Sequence, residues 1–402
     1  MTFCKFFAAA VGSTTLASAF SLYDTAPMVG VPESQAPKYS FTLTGGYDTN
    51  PYGTTNKQQN DSSAYVNAGL SASYADVESA EQLSYNARIG GSHYLGTQNK
   101  GGRKYYGDCS LTASMTHAFS MASRYTGSLH VSYMPEPGYD NGFSSAGMQG
   151  DTLSWSLNNR YSEAIDARWS WNLGLNLSGT KYEEHVYSYD DRQYYSASFG
   201  INYRESDRLT HTASFSYRDE LRSTGMNSQS VFGSLGSQYA LSSIASASVS
   251  VGAQSKFMGG DSTMNPTLDL GYRRRVSDGL SMNAYVKYSD ENVDNYNTSS
   301  RGSYRSCATW RAGAYGTYVL SPDVSFTFRM QAMQSQYRKP TNTKTKTATR
   351  YTLNPSVSMQ YSFTPSVVGT LAARYTYYHY TRGGEVSLYA RVQYSAGLTY
   401  NF

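Results

Sequence analysis

Seven cations, Arg88, Lys287, Arg311, Arg329, Arg350, Arg374 and Arg391, sit inside stretches where apolar and polar residues alternate. In such a stretch the two sets point to opposite faces of a strand. All seven fall on the polar face, with Asp269 as the acid of the same parity. Fixed positive charge on a wetted wall raises the local anion concentration. Rows of Arg and Lys are the usual lining of anion-preferring pores. Arg88, Arg311, Arg329, Arg374 and Arg391 lie near mid-height or on the upper part of their strands. Arg311, Arg329, Arg374 and Arg391 belong to strands 14, 15, 17 and 18, and Arg88 to strand 3, across the seam if the strands close. The neighbouring loop adds Arg338, Lys339, Lys344 and Lys346. Acids gather in other loops, at Glu183, Glu184, Asp190, Asp191, Asp290 and Glu291. This chemistry attracts ions and makes no bonds. The same arginines could instead reach the rims and pair with loop carboxylates, setting no selectivity.

Bond-making chemistry finds no constellation. The six histidines (His93, His117, His130, His185, His211 and His379) are scattered. His93, His117 and His211 fall on the apolar parity near strand ends, where an imidazole suits an interface better than catalysis. Serine is too abundant for any Ser–His pair to inform. Metal-ligand spacing, a phosphate-binding loop and a dinucleotide fingerprint are all missing, so no cofactor and no metal are expected. A net charge of +4 with inward-pointing bases argues against nucleic acid. Cys4 precedes the first strand. Cys109 and Cys307 fall on opposite sides of the array, too far apart to bridge.

The elements that carry these cations repeat along the whole chain. Apolar faces recur about every 20 residues, from Tyr39-Phe41-Leu43 through Trp169-Trp171-Leu173-Leu175-Leu177 to the last residues. The count is about eighteen strands, an even number, as single-chain bacterial barrels have. Short polar links (for example Glu163 to Arg168 and Ser321 to Asp323) and long ones (for example Asp48 to Asn60 and Gln334 to Thr347) take turns without exception in this reading. Short turns on the periplasmic side and long loops outside are the barrel pattern, with both chain ends periplasmic. Tyrosines at strand ends, such as Tyr125, Tyr133, Tyr203, Tyr217, Tyr272, Tyr288 and Tyr361, fit aromatic girdles.

The last strand is the most specific. From Leu388 to Phe402 every second residue is apolar or aromatic, and the chain ends on Phe402. Composition agrees. Only 39% of the 402 residues are hydrophobic and 15% charged, whereas Tyr alone numbers 39. A soluble chain of this length needs a larger aliphatic core, but a barrel does not, because lipid covers its apolar face. At the other end Lys5, the mildly apolar Phe6 to Leu16 and the Ala17-Ser18-Ala19 site read as a signal peptide over 1–19. Residues 20–37, with three prolines, read as a flexible periplasmic lead-in. The barrel is expected over 38–402.

The terminal strand resembles the C-terminal targeting strand of bacterial outer-membrane β-barrels, and the whole pattern resembles the outer-membrane porins, most nearly the beta-barrel porin-2 family. The resemblance implies a single antiparallel transmembrane β-barrel in the bacterial outer membrane. It also implies that the barrel assembly machinery reads Phe402 and Tyr400, with Leu398 and Tyr394 in the same strand. The third long loop carries Pro135-Glu136-Pro137-Gly138-Tyr139-Asp140. This is similar to the Pro-Glu start of the inward-folded loop of trimeric porins, which makes Glu136 and Asp140 candidates for a constriction. A second proline and a different strand number depart from that pattern.

The expected function is a porin for small hydrophilic solutes, anionic by preference, held in outer-membrane lipid and open to homo-oligomerisation. A polysaccharide conduit using Tyr285, Tyr315 and Tyr389 as a stacking track is the alternative. A structural or adhesive barrel is the third.

Overall fold

The computed structural model describes residues 37–49, 62–76, 81–96, 105–134, 151–182, 191–223, 227–258, 260–277, 279–292, 306–338, 348–382 and 385–402. The expected signal peptide, the lead-in as far as residue 36, and Glu136 and Asp140 lie outside these residues, as do Lys339, Lys344 and Lys346.

Eighteen strands follow one another: β1 (Lys38–Asp48), β2 (Ser63–Asp76), β3 (Glu81–Tyr94), β4 (Tyr105–Ala118), β5 (Ser123–Met134), β6 (Thr152–Ala164), β7 (Trp169–Tyr182), β8 (Arg192–Arg204) and β9 (Leu209–Arg222). The second half runs β10 (Ser228–Ser242), β11 (Ala245–Met258), β12 (Asp261–Arg275), β13 (Leu280–Asn292), β14 (Ser306–Ser321), β15 (Val324–Arg338), β16 (Ala348–Thr364), β17 (Val367–Arg382) and β18 (Glu385–Asn401). Each pairs antiparallel with its chain neighbours, and β1 pairs with β18, so the sheet closes on itself. The expected all-β, single antiparallel barrel of eighteen strands is the fold.

Closure decides which face is which. Leu70, Ile89, Leu235 and Leu398 are 56%, 65%, 67% and 55% exposed on the outer wall. The buried residues are mostly polar and line the lumen, among them Asp48, Asn67, Glu220, Lys256, Thr309, Ser335 and Arg391. Water-soluble proteins show the reverse distribution. An outer belt of this kind faces hydrocarbon, and closure leaves no unpaired sheet edge within it. Aromatic pairs ring the two ends of the belt: Trp169 with Tyr203 and Tyr361 with Phe363 at the turn end, Tyr288 with Trp310 at the loop end. This is the construction of an outer-membrane barrel.

The links depart from the expected alternation. Turn-end links are short, as at 165–168, 243–244 and 365–366. Six loop-end links are long, but 223–227, 259–260 and 383–384 are as short as turns. Between β11 and β12 the reason is visible. Gly260 has φ of 86°, a left-handed conformation that lets two long strands meet in a tight reversal.

The terminal strand closes the barrel. Tyr394, Leu398 and Tyr400 stand opposite Tyr47, Leu43 and Phe41 of β1 on the outer face. The Phe402 N–H donates to the Tyr39 carbonyl at 2.9 Å, and its ring meets Tyr400 edge-on at 4.9 Å. A barrel closed by a full ladder of hydrogen bonds should resist detergent unfolding until heated. Unheated protein is expected to migrate faster on a detergent gel than boiled protein, with a circular dichroism spectrum dominated by strand. A detergent-independent soluble monomer would overturn the fold.

Candidate functional site

The candidate site is the lumen wall, and the strand register builds it. From β11 to β1 one row of directly opposed lumenal residues runs Ser246, Arg273, Asn283, Tyr315, Arg329, Ser356, Arg374, Gln393, Asp48. Strands of a barrel tilt against its axis, so such a row climbs as it circles. Arg273 lies two residues from the turn end of β12, and Asp48 is the last residue of β1 at the loop end. Arg273, Arg329 and Arg374 thus form a rising series, with Asn283 and Tyr315 between the first two and Ser356 between the last two. Sequence alone placed Arg329 and Arg374 on the lumen face, but it could not show that they share a row with Arg273.

Four of the expected cations, Arg391, Arg88, Arg311 and Lys287, stand in ion pairs. Arg391 is 2% exposed and forks onto Asp48, with Nε at 2.9 and 3.0 Å from the two carboxylate oxygens and Nη2 on Oδ2. Gln393 donates to the same carboxylate at 2.9 Å. Arg88 donates to Asp108 at 3.2 Å and to the Asn67 side-chain oxygen at 2.9 Å. Arg311 grips Glu291 with two bonds, 2.8 and 2.6 Å. Lys287 meets Asp269 at 2.7 Å. Arg374 donates from Nε to Asn354 at 3.0 Å. Arg350 is buried with its guanidinium 5.7 Å from the Tyr337 ring centre.

Two corrections follow. Asp290 and Glu291, expected in a loop, belong to β13, where Asp290 takes Lys256 at 2.6 Å and Glu291 takes Arg311. Asp48, Asp108 and Glu220 are further lumenal acids, because β1 extends to Asp48 and β4 starts at Tyr105, beyond the link from Asp48 and the apolar face from Leu111 expected from sequence. Following the same alternation to each strand end would have found all three. It would also have found Arg160 and Arg218, which face the lumen, are exposed, and have no ion pair among the described residues.

Buried side chains pack together at the loop end of the β14–β17 wall. Cys307, Ala348, Tyr337 and Tyr380 cluster there. Beside them Thr309 and Ser335 share a 3.1 Å hydrogen bond and have no exposed surface. Cys109 faces outward and Cys307 inward, and both are free thiols. His117 and His211 sit outside near the turn end, against Glu81 at 3.0 Å and Glu205 at 2.6 Å.

No family model and no curated protein matches the chain. Among solved structures it is similar to OccAB4 of Acinetobacter baumannii, at 11% identity and TM-score 0.44, over 92% of this chain and all of that one. It is similar to OpdK of Pseudomonas aeruginosa, solved with vanillate, at 9% identity and TM-score 0.47, over 91% of this chain and 99% of that one. OpdQ of Pseudomonas aeruginosa gives 11% identity and TM-score 0.43, over 92% and 99%.

The Asp48–Arg391 pair locks the β1–β18 seam while almost wholly buried. Removing one partner of such a pair strands a buried charge and costs about 3–5 kcal/mol. Asp48→Ala should therefore lower the denaturant midpoint of the detergent-held barrel. Asp48→Ala with Arg391→Met should recover much of the loss, because no lone charge remains. Equal instability of the two variants would show that the seam depends on something else.

Proposed function

We propose that the protein is an outer-membrane channel for passive, weakly selective diffusion of small hydrophilic solutes, with a preference for anions. The observation that carries this reading is the rising series Arg273, Arg329 and Arg374 on one lumenal row. Guanidinium stays charged at any physiological pH. In a narrow wall of low dielectric, three such groups at successive heights give an anion a sequence of attractive positions instead of a single trap. Arg160 and Arg218 add solvated positive charge on the opposite wall. Arg88, Arg311 and Arg391 contribute less to the field, because each faces a carboxylate within hydrogen-bond distance. Their part is to hold the wall in shape.

In the same reading, Tyr394, Leu398, Tyr400 and Phe402 form the signal read by the barrel assembly machinery. They share the outer face of the closing strand, and Phe402 is 72% exposed. Its side chain is therefore available to a receptor before the barrel meets lipid.

Reversal potentials in a salt gradient test the selectivity. Arg329→Gln with Arg374→Gln should shift the potential toward cations, and the shift should fade at high salt as the Debye length falls below about 10 Å. Asp48→Asn with Arg391→Gln removes one charge of each sign and should leave the potential nearly unchanged. Cation selectivity of the wild type at low salt would overturn the anion preference. For assembly, Phe402→Ser should lower the amount of folded barrel in the outer membrane and leave unfolded chain in the periplasm. Normal surface levels would rule out that role.

A further inference from the structure

We propose that the turn-end mouth of the lumen holds a subsite for an acidic saccharide, a pyranose carrying a carboxylate, formed by Arg273, Asn283 and Tyr315, with Tyr285 one step further up the wall. The inference rests on the channel reading for access from the lumen and deepens it by naming a solute class.

A cavity of about 770 Å³ opens on the inner wall between the β10–β11 turn and β14. Its volume falls in the range of about 300–1,000 Å³ usual for small-molecule sites. Arg273, Asn283 and Tyr315 line it as three directly opposed residues of β12, β13 and β14. Ser246, Ser281 and Thr317 add hydroxyls. Arg273 donates from Nε to the Asn283 side-chain oxygen at 2.9 Å. That bond orients the guanidinium and leaves its terminal N–H donors for a carboxylate, whose two oxygens match the fork. Tyr315 is 37% exposed, so its ring is accessible from the cavity. One step up the wall, Tyr285 lies across Gly313, where a Cβ would come within 2.4 Å of the ring. Glycine at this position lets the ring settle onto the wall.

A simple anion would need the guanidinium alone. The Tyr315 ring and several hydroxyls in the cavity, with the Tyr285 ring one step further up the wall, suit a ring whose C–H edges meet the negative aromatic face and whose hydroxyls exchange hydrogen bonds. Taken together, these groups suit a uronic acid unit better than a linear polyacid or a neutral sugar.

The test is calorimetric binding to the full-length barrel in detergent, with three probes. These are trigalacturonate, maltotriose and the linear trianion tricarballylate. Trigalacturonate should bind at least about tenfold more tightly than either other probe, a difference of about 1.4 kcal/mol. Tyr315→Ala and Tyr285→Ala should weaken trigalacturonate and leave tricarballylate unchanged, and Arg273→Gln should erase the preference over maltotriose. Retained heat-modifiable migration shows that each variant is folded. Equal binding of trigalacturonate and tricarballylate, or unchanged affinity in Tyr315→Ala, would overturn the subsite. Binding in detergent needs no current, so a barrel that binds but does not conduct sinks the channel reading and keeps the subsite. A conducting barrel with no binding does the reverse.

Discussion

Hydrocarbon offers no hydrogen bonds, so every backbone N–H and C=O within it must be paired by the protein itself. A sheet meets this demand only by closing, and here the closing ladder is β1 against β18, from Ser40↔Asn401 to Asp48↔Gln393. The rest of the architecture depends on that one pairing. It turns the alternation of each strand into an inside and an outside. It also places the C-terminal aromatic residues on the lipid face, beside the first strand of the chain.

Closure has an electrostatic consequence. Side chains that would be solvated on an open sheet are brought together in a lumen where they shield one another from water. Asp48 and Arg391 lie more than 300 residues apart in sequence, yet they form an ion pair with almost no exposed side-chain surface. Arg88 with Asp108, Arg311 with Glu291 and Lys256 with Asp290 repeat the arrangement at other strands of the loop-end half. An unpaired ion there would carry a large desolvation cost, so acids and bases find each other. The field inside the barrel is therefore not the sum of its arginines. It depends on how acids and bases are paired along the wall, and on the heights at which the cations stand.

The tilt of the strands adds a second consequence. Residues opposed in register do not lie at one level but wind upward. Arg273, Arg329 and Arg374 are distant in sequence, and their common row exists only because β12 to β17 hold this register. The cavity at the turn end takes in the lower part of the same row, where Tyr315 lines it together with the first arginine.

The alternating pattern by itself determined much of this protein. Strand existence, the approximate strand number and the apolar face of each strand are local matters. A period of two is imposed by the backbone of a single strand. Even the lumenal position of Arg88, Arg311, Arg329, Arg374 and Arg391 was legible from parity. What parity cannot carry is the partner. Whether Arg391 is a bare pore cation or half of a buried pair depends on Asp48, which only barrel closure brings beside it. The tight reversal at Gly260 was likewise hidden, because loop length follows from how far the paired strands extend and not from the residues between their apolar faces. Parity is a property of one strand, while pairing, height and charge balance belong to the register between strands, and only the closed barrel settles them.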